Sequence, residues 1–184
     1  DEGGAGAQIG LWSSRKVYTY LGDSSVLSAD GNALDVANTA LTATDLSVSD
    51  DNRDEQILWI RGKDVDDEDG DSVETENRYI MGDPLHSKPV AITYSSPDAD
   101  DPSEDVSIFM GTNAGGIHGI DADNGSEHFM FMPKELLPSQ VARRANSSGR
   151  NHIYGMDGSI TAWTNDAGSD GITVGGDDFV RLYS

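Results

Sequence analysis

The stretch Gly82-Asp-Pro-Leu-His-Ser-Lys-Pro89, followed by Gly111-Thr-Asn-Ala-Gly-Gly-Ile-His-Gly-Ile-Asp-Ala-Asp-Asn-Gly125, decides how the chain is read. A turn cluster leads into a strand, a second strand ends at Gly111, and a third closes on the Asp121–Gly125 turn before a fourth. The strands Val90–Tyr94, Val106–Met110, Gly116–Asp121 and Glu127–Met132 are each alternating or continuously apolar. Four short strands joined by Asn/Asp/Gly turns make one β-propeller blade, a unit of roughly 40–50 residues. Asn124-Gly125 supplies the positive φ that a two-residue hairpin turn needs.

Outward from this blade, Ser159–Trp163 and Phe179–Ser184 read as the first two strands of another, split by a Gly/Asp loop. The fold class is therefore all-β: a partial β-propeller of four-stranded antiparallel blades, which resemble quinoprotein blades in the strand-Asp-Ala-x-x-Gly-strand turn at Ile120–Gly125, with short helices in the N-terminal segment. Residues 1–62 form that segment. Residues 63–184 form an incomplete propeller, with one full blade at about 89–132 and the next starting at about 158. Upstream, Lys16–Leu21 alternates as a strand, and a short helix fits Asn32–Ala43. A second helix starts at Arg53 with Asp54 and Glu55 in its first turn, where the helix dipole favours them, and stops at Gly62. Pro133 opens a short helix through Leu137.

The chain has 184 residues and a net charge of −21, from 33 acidic and 12 basic side chains. Phosphate binding needs a basic surface, so nucleic acid is excluded as a partner, and anionic membrane with it. Cations are the natural partners of such a surface, which also suits a saline exterior. Cysteine is absent, which removes thiolate metal sites, disulfides and cysteine nucleophiles. No apolar run reaches the roughly 18 residues of a spanning helix, so no membrane insertion is expected. The opening Asp1-Glu2-Gly3-Gly4 reads as a processed or internal piece.

Two acidic loops are candidate calcium sites. In Asp64-Val-Asp-Asp-Glu-Asp-Gly-Asp71, six of eight residues are acidic. Asp64, Asp66, Asp67, Asp69 and Asp71 offer the several oxygen ligands that Ca²⁺ takes in flexible geometry. The plain alternative is a solvated charge run, and aligning Gly70 with the glycine of a helix-loop-helix Ca²⁺ loop puts Val65 at its first ligand. Six like charges held together are costly without a cation. The second loop has Asp166, Asp170 and Asp177 at first, fifth and twelfth positions with Gly171 sixth, but Gly168 stands third; the plain alternative is a hairpin loop. A third acidic loop, Pro97–Asp105, separates the first two blade strands.

No catalytic residues are assigned. His86 sits in a turn, His118 alternates on a strand with no partner nearby in sequence, and no Gly-x-Ser-x-Gly elbow surrounds Ser87. Arg143, Arg144 and Arg150 form a basic cluster, read as solvated, with neutralisation of an acidic loop as the alternative. Trp12, Trp59 and Trp163 are assigned to the core.

Several words occur in an order that resembles the C-terminal propeller of the PilY family, the tip-associated proteins of bacterial type IV pili. They are Ile60-Arg-Gly62, the Asp64–Asp71 run, Gly82–Pro89, Gly111-Thr-Asn113, His118–Gly125, Pro133-Lys-Glu-Leu-Leu137 and Tyr154-Gly-Met-Asp-Gly-Ser159. The resemblance covers most of the chain from about Lys16. It implies a non-enzymatic, calcium-modulated pilus-tip adhesin and biogenesis factor, exported through the periplasm to the cell surface. The partners it implies are minor pilins or the pilus tip, and a host or abiotic surface. It also implies continuation into further blades. Two other readings stand beside it: part of a quinoprotein-type dehydrogenase propeller, which shares the strand-Asp-Ala-x-x-Gly-strand turn at Ile120–Gly125, and a calcium-stabilised surface-layer or filament protein.

Overall fold

Alternation of apolar residues from Val90 onward builds a meander of four strands: β2 (Val90–Ser95), β3 (Glu104–Gly111), β4 (Ile117–Asp121) and β5 (Glu127–Phe131). The computed structural model describes residues 4–22, 24–78, 80–95, 104–146, 153–168, 171–173 and 177–184. Neighbouring strands pair antiparallel, and β3 and β4 form the expected hairpin across Thr112–Gly115, where Thr112 N–H donates to the Gly116 carbonyl. A fifth strand, β1 (Val17–Tyr18), runs parallel to β5, so the sheet is mixed, in the order β1-β5-β4-β3-β2. The strand expected over Lys16–Leu21 is thus only two residues long, and its flanks leave the sheet. A second, two-stranded sheet pairs β6 (Thr161–Asn165) with β7 (Phe179–Tyr183). The regular structure is mostly β with a few short helices.

Both faces of the larger sheet are covered. One carries Ile92, Phe109, Val90, Ile117 and Phe129 and packs on Ile160, Ala162, Val180 and Leu182 of the β6–β7 side. The other carries Met130 and packs on Leu34, Leu41, Leu46, Ile57 and Ile60 of the N-terminal segment. That segment contributes α1 (Gly4–Gln8), α2 (Ala43–Leu46) and α3 (Arg53–Arg61), and α4 (Gln140–Ala145) follows the meander. α3 ends as expected at Gly62, whose φ of 104° lets its N–H reach the Leu58 and Trp59 carbonyls. A 3₁₀ turn at Lys134–Leu136 follows Pro133.

The helix expected over Asn32–Ala43 does not form. Asn38 donates its amide to the Gly31 and Ala33 carbonyls, and Asp35 accepts the Ala37 N–H. Such local side-chain bonds hold the backbone in turns and compete with helix. Only the end of the stretch becomes helical, where Thr42 and Asp45 close a reciprocal cap on α2. The Asp121–Gly125 connection also departs from a two-residue turn. Asp121 accepts the Asp123 and Asn124 N–H groups, and of Asn124 and Gly125 only Gly125 has positive φ, at 77°.

Charge joins the N-terminal segment to the sheet. Arg15 donates from Nε and Nη2 to the two Glu127 carboxylate oxygens at 2.7 and 2.8 Å, and His118 Nδ1 lies 2.8 Å from Glu127 Oε1. The three side chains are 1%, 3% and 0% exposed, so this is an interior ion pair rather than a surface one. A bulge makes it possible: Gly119 pairs with Phe129 but Ile120 with Glu127, leaving His128 extra. The added residue turns Glu127 onto the face of His118 and Met130. His118, expected to lack a partner, therefore has one nine residues along. Burial alone would raise the Glu127 pKa, but the Arg15 and His118 hydrogen bonds and charges outweigh it and hold the carboxyl at about 2.

The Gly82–Pro89, Gly111–Gly116 and Tyr154–Ser159 words meet at one place. Asn113 N–H donates to the Asp83 carbonyl, Met156 N–H to the Thr112 carbonyl, Gly111 N–H to Ser87 Oγ, and His86 N–H to Asp157. Gly155 allows this approach, because a Cβ there would sit 2.6 Å from both the Asn113 oxygen and the Gly115 nitrogen.

Two expectations follow. Gly155→Ala should lower stability by about 2–3 kcal/mol, because backbone must shift. Gly125→Ala should cost only about 1 kcal/mol, since its Cβ would meet nothing nearer than 3.4 Å and only φ is strained. Equal urea midpoints for the two variants would contradict the three-word junction. The second expectation concerns acid. A carboxyl at about 2 when folded and about 4.5 when unfolded adds stability that is full above pH 4.5 and fades as pH falls towards 2. The loss should approach 3 kcal/mol. In Glu127→Gln, already weakened by a buried unpaired Arg15, unfolding followed from pH 6 to 2 should lack that component.

Candidate metal centre

The acidic run lies directly after Gly62 and is closed into a loop by its ends. Lys63 bridges Asn77, Asp64 N–H donates to the Glu76 carbonyl, and Arg78 N–H donates to the Gly62 carbonyl. Within this closure, Asp67, Gly70 and Ser72 adopt positive φ. The tight curl brings carboxylates together that an extended run would keep apart.

The loop divides its acids into two sets. Asp66 and Glu68 face the body of the protein: Arg144 donates to both Asp66 oxygens at 2.7 and 2.6 Å and also to Glu55, while Trp59 Nε1 donates to Glu68 at 3.1 Å. The Asp66 carboxyl is pulled below the usual range, chiefly by the Arg144 hydrogen bonds. The remaining acids converge. Oxygens of Asp64, Asp69 and Glu76 lie within 4.8 Å of one another, as do those of Asp67, Asp69 and Asp71, so Asp69 is common to both groups. Asp64 is 2% exposed and accepts the Glu68 N–H on both oxygens at 3.0 Å, which fixes its carboxylate. The Glu76 carboxyl is raised above its ordinary value, first by Asp71, then by burial and by Asp69, Asp64 and Asp67. These clusters could hold a metal ion.

Of the sequence candidates, Asp64, Asp67, Asp69 and Asp71 are brought together, and Asp66 is held on Arg144 outside both groups. Glu76 was missed. The signal was present, because counting Gly70 as sixth in a twelve-position loop places Glu76 at the twelfth, where a Ca²⁺ loop carries its glutamate. Asp64 then stands one residue before the first position occupied by Val65.

In the second loop, Asp170 lies outside the described residues. Asp166 accepts the Gly171 N–H, and the Asp177 carbonyl accepts from the Asn165 amide. Neither belongs to a group of three metal-competent side chains among the described residues. Asp178, not singled out from sequence, organises this turn by accepting from Ala167 N–H and from the Thr173 N–H and hydroxyl. Most of the Pro97–Asp105 loop also lies outside the described residues, as does Arg150.

Within the described residues, Arg144 follows the alternative reading and neutralises the acidic loop, and Arg143 donates to the Ile153 carbonyl rather than being fully solvated. Trp59 is buried, Trp12 half-buried, and Trp163, assigned to the core, is 52% exposed on the outer side of β6. There it meets Phe179 edge-on at 5.1 Å, with Arg181 over both rings.

The chain is 28% identical over 100 residues to a protein described as a type IV pilus biogenesis factor PilY1 homolog, from Xylella fastidiosa strain Temecula1. The matched stretch takes in 45% of this chain and 8% of that protein's length. No family model and no solved structure matches the chain.

The charge division can be checked by titration. Followed by carboxyl carbon NMR, Glu76 should titrate above its ordinary value in wild type and move back down in Asp71→Asn. Asp66→Asn should leave Glu76 much less affected while lowering stability by about 1 kcal/mol, because it loosens a partly exposed pair. A Glu76 titration indifferent to Asp71 would mean that the carboxylates do not face one another.

Proposed function

We propose that this chain is part of a cell-surface type IV pilus biogenesis protein of the PilY kind, acting as a calcium-modulated adhesive scaffold rather than an enzyme. The similarity to a pilus biogenesis factor over 100 residues carries the reading. The geometry supports it in two ways. The β2–β5 meander and the β6–β7 hairpin stack face to face as consecutive propeller blades would, with Phe109 and Phe129 on one side and Val180 and Leu182 on the other. The outer β6–β7 face, with Trp163 and Tyr183 exposed, is what a following blade would cover. A scaffold role also agrees with the two histidines discussed above: His118 is committed to Glu127, and His86 to Asp157.

Calcium is the metal that the acidic loop suits best. Its donors are all carboxylate oxygens, which hard cations prefer, and either group of three, Asp64–Asp69–Glu76 or Asp67–Asp69–Asp71, supplies part of the six to eight oxygen ligands Ca²⁺ takes in flexible geometry. Mg²⁺ demands a tighter octahedron and retains its water. Bound there, the cation would supply positive charge that relieves the repulsion of Glu76 by Asp71 and its neighbours and orders the loop. Because Asp66 and Glu68 tie the same loop to Arg144 and Trp59, ordering it would stiffen the contact with α3 and α4.

Calorimetry tests the metal. Ca²⁺ should raise the melting temperature of wild type and of Asp166→Ala, and do little for Asp69→Ala combined with Glu76→Ala. Equal responses in all three proteins would remove this loop as the calcium site. The pilus reading has a separate test: antibodies raised against the chain should label the ends of sheared pili in immunogold images of the source bacterium. Label confined to the cell interior would reject it.

A further inference from the structure

A cavity of about 440 Å³ opens beneath the acidic loop, between α3, the β3–β4 turn and α4. Ile60, Ile80, Met130 and Met132 give it an apolar wall. Its polar wall gathers Arg78, Arg143 and Arg144, three of the chain's 12 cationic side chains, against Asp66 and Glu68. Just beyond this lining, Glu55 pairs with Arg144 and Asp83 acts electrostatically on Arg143, so the three cations are largely balanced, on a protein whose total is −21.

The three guanidiniums are not equivalent. Arg144 is engaged by Asp66 and Glu55. Arg78 lies 3.7 Å over the Trp59 ring, in the negative field of Glu68, Asp64 and Asp66. Arg143 donates to the Ile153 carbonyl, its Nε is buried without an acceptor, and among the described residues no carboxylate lies within ion-pair distance of it. Asp83 acts on it from beyond ion-pair distance, so this half-buried guanidinium keeps a desolvation penalty and an unfilled donor that an incoming carboxylate would satisfy.

We propose that this cavity binds a monocarboxylate on an apolar stem, with the carboxylate on Arg143 and the stem against Met130 and Met132. Charge selects the class. With Asp66 and Glu68 on the same wall, a ligand of low charge that meets only the Arg143 donor is favoured, whereas a phosphate, near −2 at neutral pH, would face those two carboxylates with its surplus. The planar guanidinium fork matches a carboxylate in two parallel hydrogen bonds. Gln140 and Asn146 on the same wall offer further amides. The volume suits a small ligand: an amino-acid-sized acid, or the last residue of a peptide with its free C-terminus. This site is independent of the calcium reading, so its test is run in chelator, where failure of one leaves the other standing.

Methionine methyls provide the test without any substitution. The chain has five methionines, of which Met130 and Met132 line the cavity while Met110 and Met156 do not. In the ¹³C-methyl-labelled 184-residue chain, N-acetyl-leucine should shift the Met130 and Met132 signals and leave Met110 and Met156 in place. N-acetyl-leucine amide and inorganic phosphate should not. A tetrapeptide ending in leucine with a free carboxylate, compared with its amide, separates the two sources: a peptide acid bound about tenfold more tightly than N-acetyl-leucine identifies a chain terminus. Equal affinities identify the small acid. Arg143→Gln should weaken either by about tenfold or more. If that variant does not fold, the wild-type arms still decide. No shift at roughly 10 mM acid, shifts produced equally by the amide or by phosphate, or undiminished binding by a folded Arg143→Gln would each overturn the proposal.

Discussion

The buried contact of Arg15 with Glu127 and His118 is the constraint on which the rest of the architecture depends. It joins residues 112 apart in sequence, where the N-terminal segment meets the outer side of β5. Taking such charges from water is expensive, and the attraction between them repays it only when geometry is good and the other donors are satisfied. On the arginine side they are: both Glu127 oxygens accept from Arg15, and Arg15 Nη1 also donates to the Arg61 carbonyl at 2.6 Å, while His118 Nε2 is buried without a partner among the described residues. Arg61 returns the contact by donating to the Arg15 carbonyl and pairs with Asp35. What this adds is specificity more than raw stability. Without the extra residue at His128, Glu127 would fall on the face of Phe109 and Phe129, against the β6–β7 sheet and without a cation. The ion pair and the bulge therefore select one register of β4 on β5. They also fix the end of α3, from which the acidic loop departs.

How much was legible follows from the range of the interactions involved. The four meander strands, the β3–β4 hairpin, α3 and its Gly62 cap were all readable, because alternation, turn residues and capping are local. The parallel addition of Val17–Tyr18 was not, since it depends on Met130 and Met132 N–H groups donating to the Lys16 and Tyr18 carbonyls across more than a hundred residues. The Asn32–Ala43 stretch has helix-compatible composition, but Asn38 and Asp35 bond the backbone first. Trp163 was misplaced because a tryptophan in an alternating strand gives no indication of which face is covered. At the acidic loop, reading a contiguous run of charge obscured the spacing that contained Glu76, and it could not separate Asp66 from its neighbours. That separation requires knowing that Arg144, 78 residues further on, would be there.

The arginines explain how so irregular an N-terminal segment is held. Regular structure satisfies its own backbone groups, but turns leave carbonyls that need other donors. Arg53 donates to the Leu41, Val36 and Asn38 carbonyls, and Arg61 to those of Leu34, Trp12 and Arg15. Arg78 does the same for Trp59, and Arg143 for Ile153. A guanidinium carries five donors in a rigid fork, so one side chain can bind several carbonyls where a lysine could not hold that geometry. Drawing these cations inward has an electrostatic consequence. Arg15, Arg53 and Arg61 already pair with Glu127, Asp54 and Asp35, and with only 12 basic residues against 33 acidic ones the acids far outnumber the cations left to meet them. The acidity of the surface and the convergence of Asp64, Asp67, Asp69, Asp71 and Glu76, which meet no cation in an ion pair among the described residues, thus go together with how the interior is wired. The same wiring leaves Arg143, held by a carbonyl rather than by a carboxylate, as a cation available to a ligand.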